Sequence, residues 1–478
     1  MNILFAASEA VPFAASGGLA DVVGSLPAAI RNKGHECRVV IPLYKSIRPE
    51  LRAQMTFLTN ITVDVSWRKQ YCGIFTAIWN GVTYYFIDNE YYFGRDGLYG
   101  FYDDCERYVF FSRAVLEMLR CIDFMPDIIH ANDWQTAMIS VFYQVFYKYQ
   151  QNYQNIKHIF TIHNIQYQGS YGREVLNEVM GIPLYHIGIL EYDGAINMMK
   201  GAIEAADKIT TVSPSYAWEI LDPYYAHGLD RILVNKQYKL CGILNGIDTQ
   251  LYNPEQDNLI AKKFSFSDPS GKKACKEALL SELALQEGDE PVIGIVTRFV
   301  SHKGIDLIRY VFEEILNLGY KFAILGSGEK IYEDFFSEMQ WRYPDRVSVT
   351  LGFQPDLAKK IYAGADMFLM PSQSEPCGLA QMISMRYGTA PIVRETGGLR
   401  DSVKDNGNGD GNGFTFRTYN AHDMLDACAR AKACYDNSES WQSLVKRAMQ
   451  SDYSWNASAD AYVNLYKELY CPVSQSEY

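Results

Sequence analysis

Two doubly wound α/β domains with parallel sheets are the fold class this sequence predicts, on three observations. Apolar runs of strand length alternate with helical segments along most of the chain, the pattern of parallel strands joined by crossover helices. The alternation falls into two series, one starting at residue 2 and one near Pro291. At 478 residues the chain is also too long for a single core.

The first series opens with a strand over residues 2–7, followed by Ser8, Glu9 and then Ser16-Gly-Gly-Leu-Ala-Asp-Val22. A glycine pair between a strand and an amphipathic helix (Leu19, Val22, Val23, Leu26) lets backbone N–H groups approach a phosphate closely. The full GxGxxG spacing is missing, so a dinucleotide site is not supported. Further strands are expected at Glu36–Ile41, Val82–Ile87, Asp127–His130, His158–Ile162 and Lys208–Val212. The second series predicts strands at Val292–Thr297, Phe322–Leu325, Val347–Leu351, Met367–Met370 and Pro391–Val393. The polar stretch Asn253–Lys273 reads as an inter-domain region. Ser16-Gly-Gly-Leu-Ala-Asp recurs in type as Thr396-Gly-Gly-Leu-Arg-Asp401, again after a strand and at a helix start.

Composition narrows the partners. Charged residues at 21% and hydrophobic residues at 48% suit a soluble globular enzyme. A net charge of −12 argues against nucleic acid or an anionic membrane as partner. The ten cysteines form no CxxC pairs, so neither a zinc site nor a disulfide framework is indicated. The N-terminus reads as a buried strand rather than a signal peptide, and no run reaches transmembrane length, so a cytoplasmic protein is expected. Started at Asn406, the stretch Asp405 to Gly413 imitates a calcium loop, but position twelve is then Arg417 where a bidentate Glu is required. It reads as a flexible turn.

The polar residues gather where the strands end. Ser8 and Glu9 follow the first strand, and Asn132, Asp133 and Trp134 follow Asp127–His130. His163 follows the run ending at Ile162, and Asn245 follows Cys241-Gly-Ile-Leu. Arg298 closes the first strand of the second series, with Lys303 five residues on. Gly326-Ser327-Gly328 follow the next strand. Pro371 ends the run Met367–Met370, and a loop with Glu375, Cys377 and Gly378 leads into a helix over Leu379–Tyr387. Open α/β sheets bind ligands at these strand ends, so two such domains facing each other would gather the residues in one cleft. Arg298 and Lys303 suit a pyrophosphate, neutralising the charge that grows on a departing nucleoside diphosphate without a metal. Taken singly, several of these residues have plain structural readings. His163 could be a satisfied structural histidine, Asp133-Trp134 an N-cap beside a core indole, and Asn245-Gly246 a turn.

In order, Ser8-Glu9, Gly17-Gly-Leu-Ala-Asp21, His130-Ala-Asn-Asp-Trp134, Thr161-Ile-His-Asn164, Asn245-Gly-Ile-Asp248, Arg298 to Gly304, Ser374-Glu-Pro-Cys-Gly-Leu379 and Thr396-Gly-Gly-Leu399 form a set that resembles bacterial glycogen synthases and plant starch synthases. The resemblance runs from Met1 to Asp452-Tyr-Ser-Trp-Asn456 and the helix beyond. It implies the GT-B fold, two Rossmann-like domains facing across a deep cleft, with domains at 1–240 and 241–455. It also implies a final helix, 456–478, returning to the N-terminal domain, as the spacing of Ala461, Leu465, Tyr466 and Leu469 allows. The activity implied is retaining transfer of glucose from ADP-glucose to the non-reducing end of an α-1,4-glucan, with no metal or other cofactor.

By the same resemblance, Arg298 and Lys303 hold the donor diphosphate. Glu375 and the backbone of Cys377, Gly378 and Leu379 meet the glucosyl hydroxyls and distal phosphate. His163 and Asn245 meet the sugar. Ser16, Gly17, Gly18, Gly326, Ser327, Gly328 and Thr396 complete the donor side, and Glu9, Asp133 and Trp134 fall on the acceptor side. The sequence offers no second carboxylate paired with Glu375 in the manner of a retaining hydrolase, which favours front-face substitution over double displacement. One position departs from the family pattern: its first motif usually reads Lys-x-Gly-Gly, and here Ala15 stands for the Lys. Lys45 and Arg173 are candidate substitutes for the lost cation. Three alternatives stay open: a transferase using UDP-glucose or another acceptor, a catalytically weak glucan-binding homologue, and, with less support at this chain length, a glucan phosphorylase. The sequence leaves the oligomeric state, homo-oligomer or monomer, undecided.

Overall fold

The computed structural model describes residues 1–470, so 471–478 of the expected last helix lie outside the described residues. The chain forms two compact units. One takes Met1–Gly246 and the chain from Trp455 on, and the other is Ile247–Ser454. The polar stretch 253–273 therefore lies inside the second unit, and its last residues open the helix Ser270–Glu282.

In the first unit the strands, in chain order, are β1 (Asn2–Ala6), β2 (Glu36–Pro42), β3 (Thr56–Val65), β4 (Arg68–Trp79), β5 (Val82–Asp88), β6 (Ile128–Asn132), β7 (Lys157–Ile162), β8 (Ser170–Tyr171), β9 (Glu191–Tyr192), β10 (Ala195–Asn197), β11 (Lys208–Thr211) and β12 (Leu240–Gly242). Nine form one sheet in the order β12-β11-β7-β6-β1-β2-β5-β4-β3, and β8 to β10 form a small separate sheet. The doubly wound parallel sheet expected here also carries an antiparallel margin, because β4 runs antiparallel to both β3 and β5. These two strands escape the sequence pattern because β3 is largely exposed along its length, so it shows no continuous apolar run. The central strands are buried on both faces, and β1 is the apolar run that parallel packing requires. The helix Trp455–Tyr470 belongs to this unit, with Lys33 paired to Asp460 at 2.7 Å and the Tyr466 hydroxyl 2.8 Å from His130 Nδ1.

The second unit has six parallel strands, β13 (Val292–Phe299), β14 (Lys321–Gly328), β15 (Val347–Leu351), β16 (Met367–Met370), β17 (Ala390–Arg394) and β18 (Phe414–Phe416), in the order β15-β14-β13-β16-β17-β18. Alternate residues serve two cores. Ile293, Ile295, Phe322 and Ile324 pack on one side, and Val292, Ala323 and Leu325 on the other. The helix expected at Leu379–Tyr387 is observed as Ala380–Arg386, because Gly378 takes a left-handed conformation (φ +70°) just before it. The turn at 405–413 is tied in place: Asp405 accepts from Gly407 N–H at 2.8 Å and pairs with Arg430 at 2.9 Å. That network corrects the expectation of a flexible turn.

In each sheet the strand order reverses beside the first strand of the series, between β1 and β6 in one unit and between β13 and β16 in the other. Loops leaving the C-terminal ends of strands at such switch points diverge and leave a crevice. Ser8, Glu9, Asp133, Lys303 and Glu375 lie on these loops, while other candidates follow or end neighbouring strands.

Candidate active site

The first unit's set is built around carboxyl groups enclosed by the sheet end. Glu9 is buried, and its Oε2 accepts from Ser16 N–H at 2.5 Å. The sequence reading put these two on opposite sides, acceptor and donor; the structure binds them to each other. Burial pushes the Glu9 carboxyl up to about 7, and the negative charge of Asp21 adds to that, against the pull of hydrogen bonds from Ser16 and Gly17. Ser16, Gly17 and Gly18 are exposed, and Gly17 caps the helix Gly18–Arg31. Ser8 is buried, with its hydroxyl 2.8 Å from that of Tyr99.

Asp133 stands immediately after β6 with a positive φ of +58°, which a non-glycine residue adopts only when its surroundings hold it there. Its Oδ1 accepts from His163 N–H at 2.8 Å. Burial pushes the Asp133 carboxyl up to about 7, and the Glu9 charge raises it further, while N–H groups of His163 and Asn164 hold it back. His163 directly follows β7, and burial pushes its imidazole down to about 3, so the ring is neutral. Its Nε2 lies 2.9 Å from Asn132 Oδ1. Trp134 is packed rather than open: its ring lies edge-on to Tyr108 at 5.3 Å and presses on Gly169, where an added Cβ would come within 2.5 Å of the indole. Asn245 is buried, and its Oδ1 has no hydrogen-bond partner among the described residues, an acceptor left for something else to satisfy.

The second unit's set is built around opposite charges. Lys303 Nζ lies 2.6 Å from Glu375 Oε2, which also accepts from Ser372 Oγ at 2.9 Å. Both partners are largely buried, on loops that follow the two switch-point strands, β13 and β16. Gly304 at φ +76° lets this region close, since a Cβ there would sit 2.1 Å from the Pro371 carbonyl oxygen. Arg394 fastens the loop from behind, donating from Nε to Ser372 O at 2.8 Å and from Nη2 to Gln373 O. Gln381 completes the fastening, with Nε2 donating to Gly378 O at 2.8 Å.

Arg298 lies within β13 rather than closing it; it is exposed and among the described residues makes no side-chain hydrogen bond or ion pair. Its charge is felt in the same cluster: burial first, then Lys303 and Arg298, hold the intervening His302 below its usual range, against a rise from Glu375. The strand expected to end at Leu325 runs on, so Gly326, Ser327 and Gly328 are the last three residues of β14. Their register places Ser327 beside Arg298, and a Cβ on Gly326 or Gly328 would strike the carbonyl oxygen of Thr297 or Phe299 at 2.0 or 2.2 Å. Those glycines let two strands pair up to the end that carries Arg298. Cys377 and Thr396 are buried, and Leu379 precedes the helix Ala380–Arg386. Among the described residues no group of three His, Cys, Asp or Glu could hold a metal ion, and no helix is long and apolar enough to cross a membrane.

Residues 2–235 match the model of the starch synthase catalytic domain, and residues 281–448 match that of glycosyl transferases group 1. The glycogen synthase of Desulforamulus reducens is 49% identical over 474 residues, covering 98% of this chain and 99% of the relative. The chain belongs to the glycogen and starch synthase family of glycosyltransferases. The glycogen synthase of Bacillus anthracis is likewise 49% identical over 476 residues, covering 98% of this chain and all of the relative. The solved catalytic domain of starch synthase IV from Arabidopsis thaliana, bound to ADP and acarbose, superposes with a TM-score of 0.90 at 34% identity, over 98% of this chain and 99% of that one. Sucrose-phosphate synthase from Thermosynechococcus elongatus, at 16% identity and a TM-score of 0.61, shares the fold. Two Rossmann-like units of the GT-B type are therefore the architecture of this enzyme.

Two residues with a clear place in the site escaped the sequence reading of roles. The sequence marks Asn132 as a polar residue at a strand end without a role and gives no sign of Tyr99, though both contact candidate residues. The signal for Asn132 was its position at the end of an apolar strand beside an Asp, where a polar side chain has to find buried partners.

Proposed function

We propose that this chain transfers glucose from ADP-glucose to the non-reducing 4-hydroxyl of an α-1,4-glucan with retention of configuration, in the cytoplasm. The observation that carries the reading is the Lys303–Glu375 contact at 2.6 Å on a fastened loop, with the uncompensated Arg298 in the same cluster. Family membership supports glucan synthesis, and the ADP in the starch synthase IV relative supports an adenine donor.

In this reading an arriving diphosphate draws Lys303 away from Glu375. The carboxylate, still held by Ser372, is then available to accept from a glucosyl hydroxyl. Arg298 and Lys303 together neutralise the charge that develops on the departing ADP, so no metal enters the scheme. The buried acceptor of Asn245 and the neutral ring of His163 suit uncharged sugar hydroxyls. Gly17, Gly18, the end of β14, the Cys377–Leu379 backbone and Thr396 serve the donor, while Asp133, Trp134 and Glu9 serve the acceptor. A departing phosphate oxygen takes the proton of the attacking 4-hydroxyl, which asks no general base of the protein.

A weaker transferase that mainly binds glucan is the second reading, and one observation favours it. Ala15 brings no cation to the glycine loop, and both candidate substitutes are engaged elsewhere, Lys45 with Asp96 at 3.0 Å and Arg173 with Glu191 at 2.7 Å. A donor panel with glycogen as acceptor, following polymer growth and freed nucleotide together, separates the readings. ADP-glucose should give growth matched by ADP release, unchanged by a chelator, with new linkages cut by an α-1,4-specific hydrolase. Faster growth from UDP-glucose overturns the donor assignment. Tight glucan binding without incorporation from any donor overturns the enzyme reading in favour of the second.

A further inference from the structure

We propose that Asn132 is a positioning residue that fixes His163 as the Nε2-protonated tautomer, so that the ring presents its Nδ1 lone pair to a hydroxyl of the bound sugar. The identity of that sugar rests on the function proposed above; the tautomer does not.

The orientation of the Asn132 amide follows from its neighbours. Its Nδ2 lies 3.1 Å from the carbonyl oxygen of Ala6 and 3.1 Å from that of His130. Carbonyl oxygens only accept, so the NH2 group must face them, and both of its hydrogens are used there. The Asn132 oxygen is then the atom 2.9 Å from His163 Nε2, and it too only accepts. Nε2 must therefore carry the proton. A neutral imidazole carries one proton, so Nδ1 is left with a lone pair, and among the described residues it has no partner.

The lock is rigid. Asn132 is buried at the end of β6, paired in register with Thr161 of β7, and its N–H donates to Thr136 Oγ1 at 2.6 Å. Ala6 ends β1, so one side chain ties the ends of three adjacent strands to the histidine ring. The His163 main chain is held as well, by Asp133. Other buried histidines lack such a device. His130 meets the hydroxyls of Tyr466 and Thr161, at 2.8 and 2.6 Å, and the nearest partner of His158 Nδ1 is the Ser140 hydroxyl at 3.4 Å. Hydroxyls both give and take, so neither ring has its proton assigned by an acceptor-only group.

A ring locked in this way cannot deliver a proton from Nδ1. It acts as a hydrogen-bond acceptor of fixed direction, and it keeps a cation out of a site where positive charge develops on the sugar.

Nitrogen-15 spectra of the unliganded enzyme, with His163 assigned by a His163→Gln variant, test the tautomer without any substrate. The expected result is a pyridine-type Nδ1 and a pyrrole-type Nε2, unchanged from pH 6 to 8. A protonated Nδ1, or a ring that titrates in this range, overturns the proposal. Adding ADP with maltoheptaose should move the Nδ1 resonance and leave Nε2 in place; an unmoved Nδ1 overturns the sugar contact while leaving the tautomer standing. Asn132→Asp puts an anion against Nε2 and should raise the histidine's pKa by about 1–3 units. Its kcat/KM should then fall on the acid side, by up to about tenfold at pH 5 relative to pH 8, where the wild-type profile shows no such limb. An Asn132→Asp enzyme that folds and keeps the wild-type pH profile overturns the positioning role. If the variant fails to fold, the wild-type spectrum still decides. Failure of the donor panel beside the expected spectrum counts against the substrate and not against the lock.

Discussion

The glycine pairs at 17–18 and 397–398 share a motif and a place in the topology, yet the protein uses them in opposite ways. Ser16-Gly17-Gly18 is exposed, and a Cβ on Gly17 would meet nothing within 4 Å. Its N-terminal N–H groups are occupied by a side chain of its own unit, Glu9. Gly397 and Gly398 are buried, and Cβ atoms there would lie 2.0 Å from the Glu375 carbonyl oxygen and 2.1 Å from that of Cys377. Gly398 N–H donates to Glu375 O at 3.1 Å. The first pair is open to a ligand, whereas the second is a buttress for the loop that carries Glu375. A repeated sequence motif here marks a repeated strand–loop–helix geometry, and its neighbours decide the role.

The difference is broken most severely by Gly397→Ala. Its backbone is left-handed at φ +43°, and the obstructing atom belongs to the main chain, so neither strain nor clash relaxes by a side-chain turn. A loss of about 3 kcal/mol in the stability of the second unit is expected, read by denaturant unfolding, with glucan synthesis falling along with it. Wild-type stability with full activity would show that the buttress is not needed.

Next in size is the pH dependence of the open side. The Glu9 carboxyl sits at about 7 in the folded protein against 4.5 ordinarily, so the folded chain holds a proton that the unfolded chain has already released. Its contribution to stability is complete below pH 4.5 and is lost as pH rises through 7, a change on the order of 3 kcal/mol. Glu9→Gln keeps an acceptor for Ser16 N–H and removes the titration. The variant should match wild type near pH 4 and exceed it above pH 7. Equal slopes in denaturation midpoint against pH for the two proteins would sink this account.

The contrast also explains what the sequence disclosed. β13, β14, β16 and β17 carry apolar runs buried on both faces, so their positions are legible, as is the clustering of polar residues after them. The edge strand β15 shows instead as the alternation Val347-Ser-Val-Thr-Leu351. β3 and β4 are harder to read, because this half-exposed pair has no continuous apolar run and its one alternation, Ile61, Val63 and Val65, covers only half of β3. The fastening of the Glu375 loop lay further out of reach. Lys303 and Glu375 are 72 residues apart and Arg394 meets Ser372 from another strand, contacts that only the parallel sheet order brings about. The Glu9–Ser16 contact is close in sequence, yet the resemblance assigns the two residues to opposite substrates and so does not point to it.

Ala15→Lys sharpens the comparison by placing a cation one residue before Ser16. Regaining a charge at a phosphate site is worth about 1.5 kcal/mol, so kcat/KM for the nucleotide sugar should rise about tenfold. The same ammonium should stabilise the Glu9 carboxylate and flatten the pH slope described above. A flattened slope with no gain in kcat/KM would mean that the loop is a structural cap and takes no part in donor binding.

The smallest structural effect, and the most selective test, belongs to Gly17→Ala. Gly17 has an extended backbone at φ −164°, which any residue adopts, and there is open space where the methyl would go. Alanine is a poorer N-cap than glycine, but it lowers the entropy of the unfolded chain by a compensating amount, so the net change in stability should stay within about 0.5 kcal/mol. The methyl would nevertheless stand where a phosphate needs to approach the backbone. An unchanged melting temperature with a several-fold rise in the KM for the donor identifies the first pair as a ligand loop. A loss of stability comparable to that of Gly397→Ala would mean that this pair too is a buttress, and an unchanged KM would remove the donor from this loop.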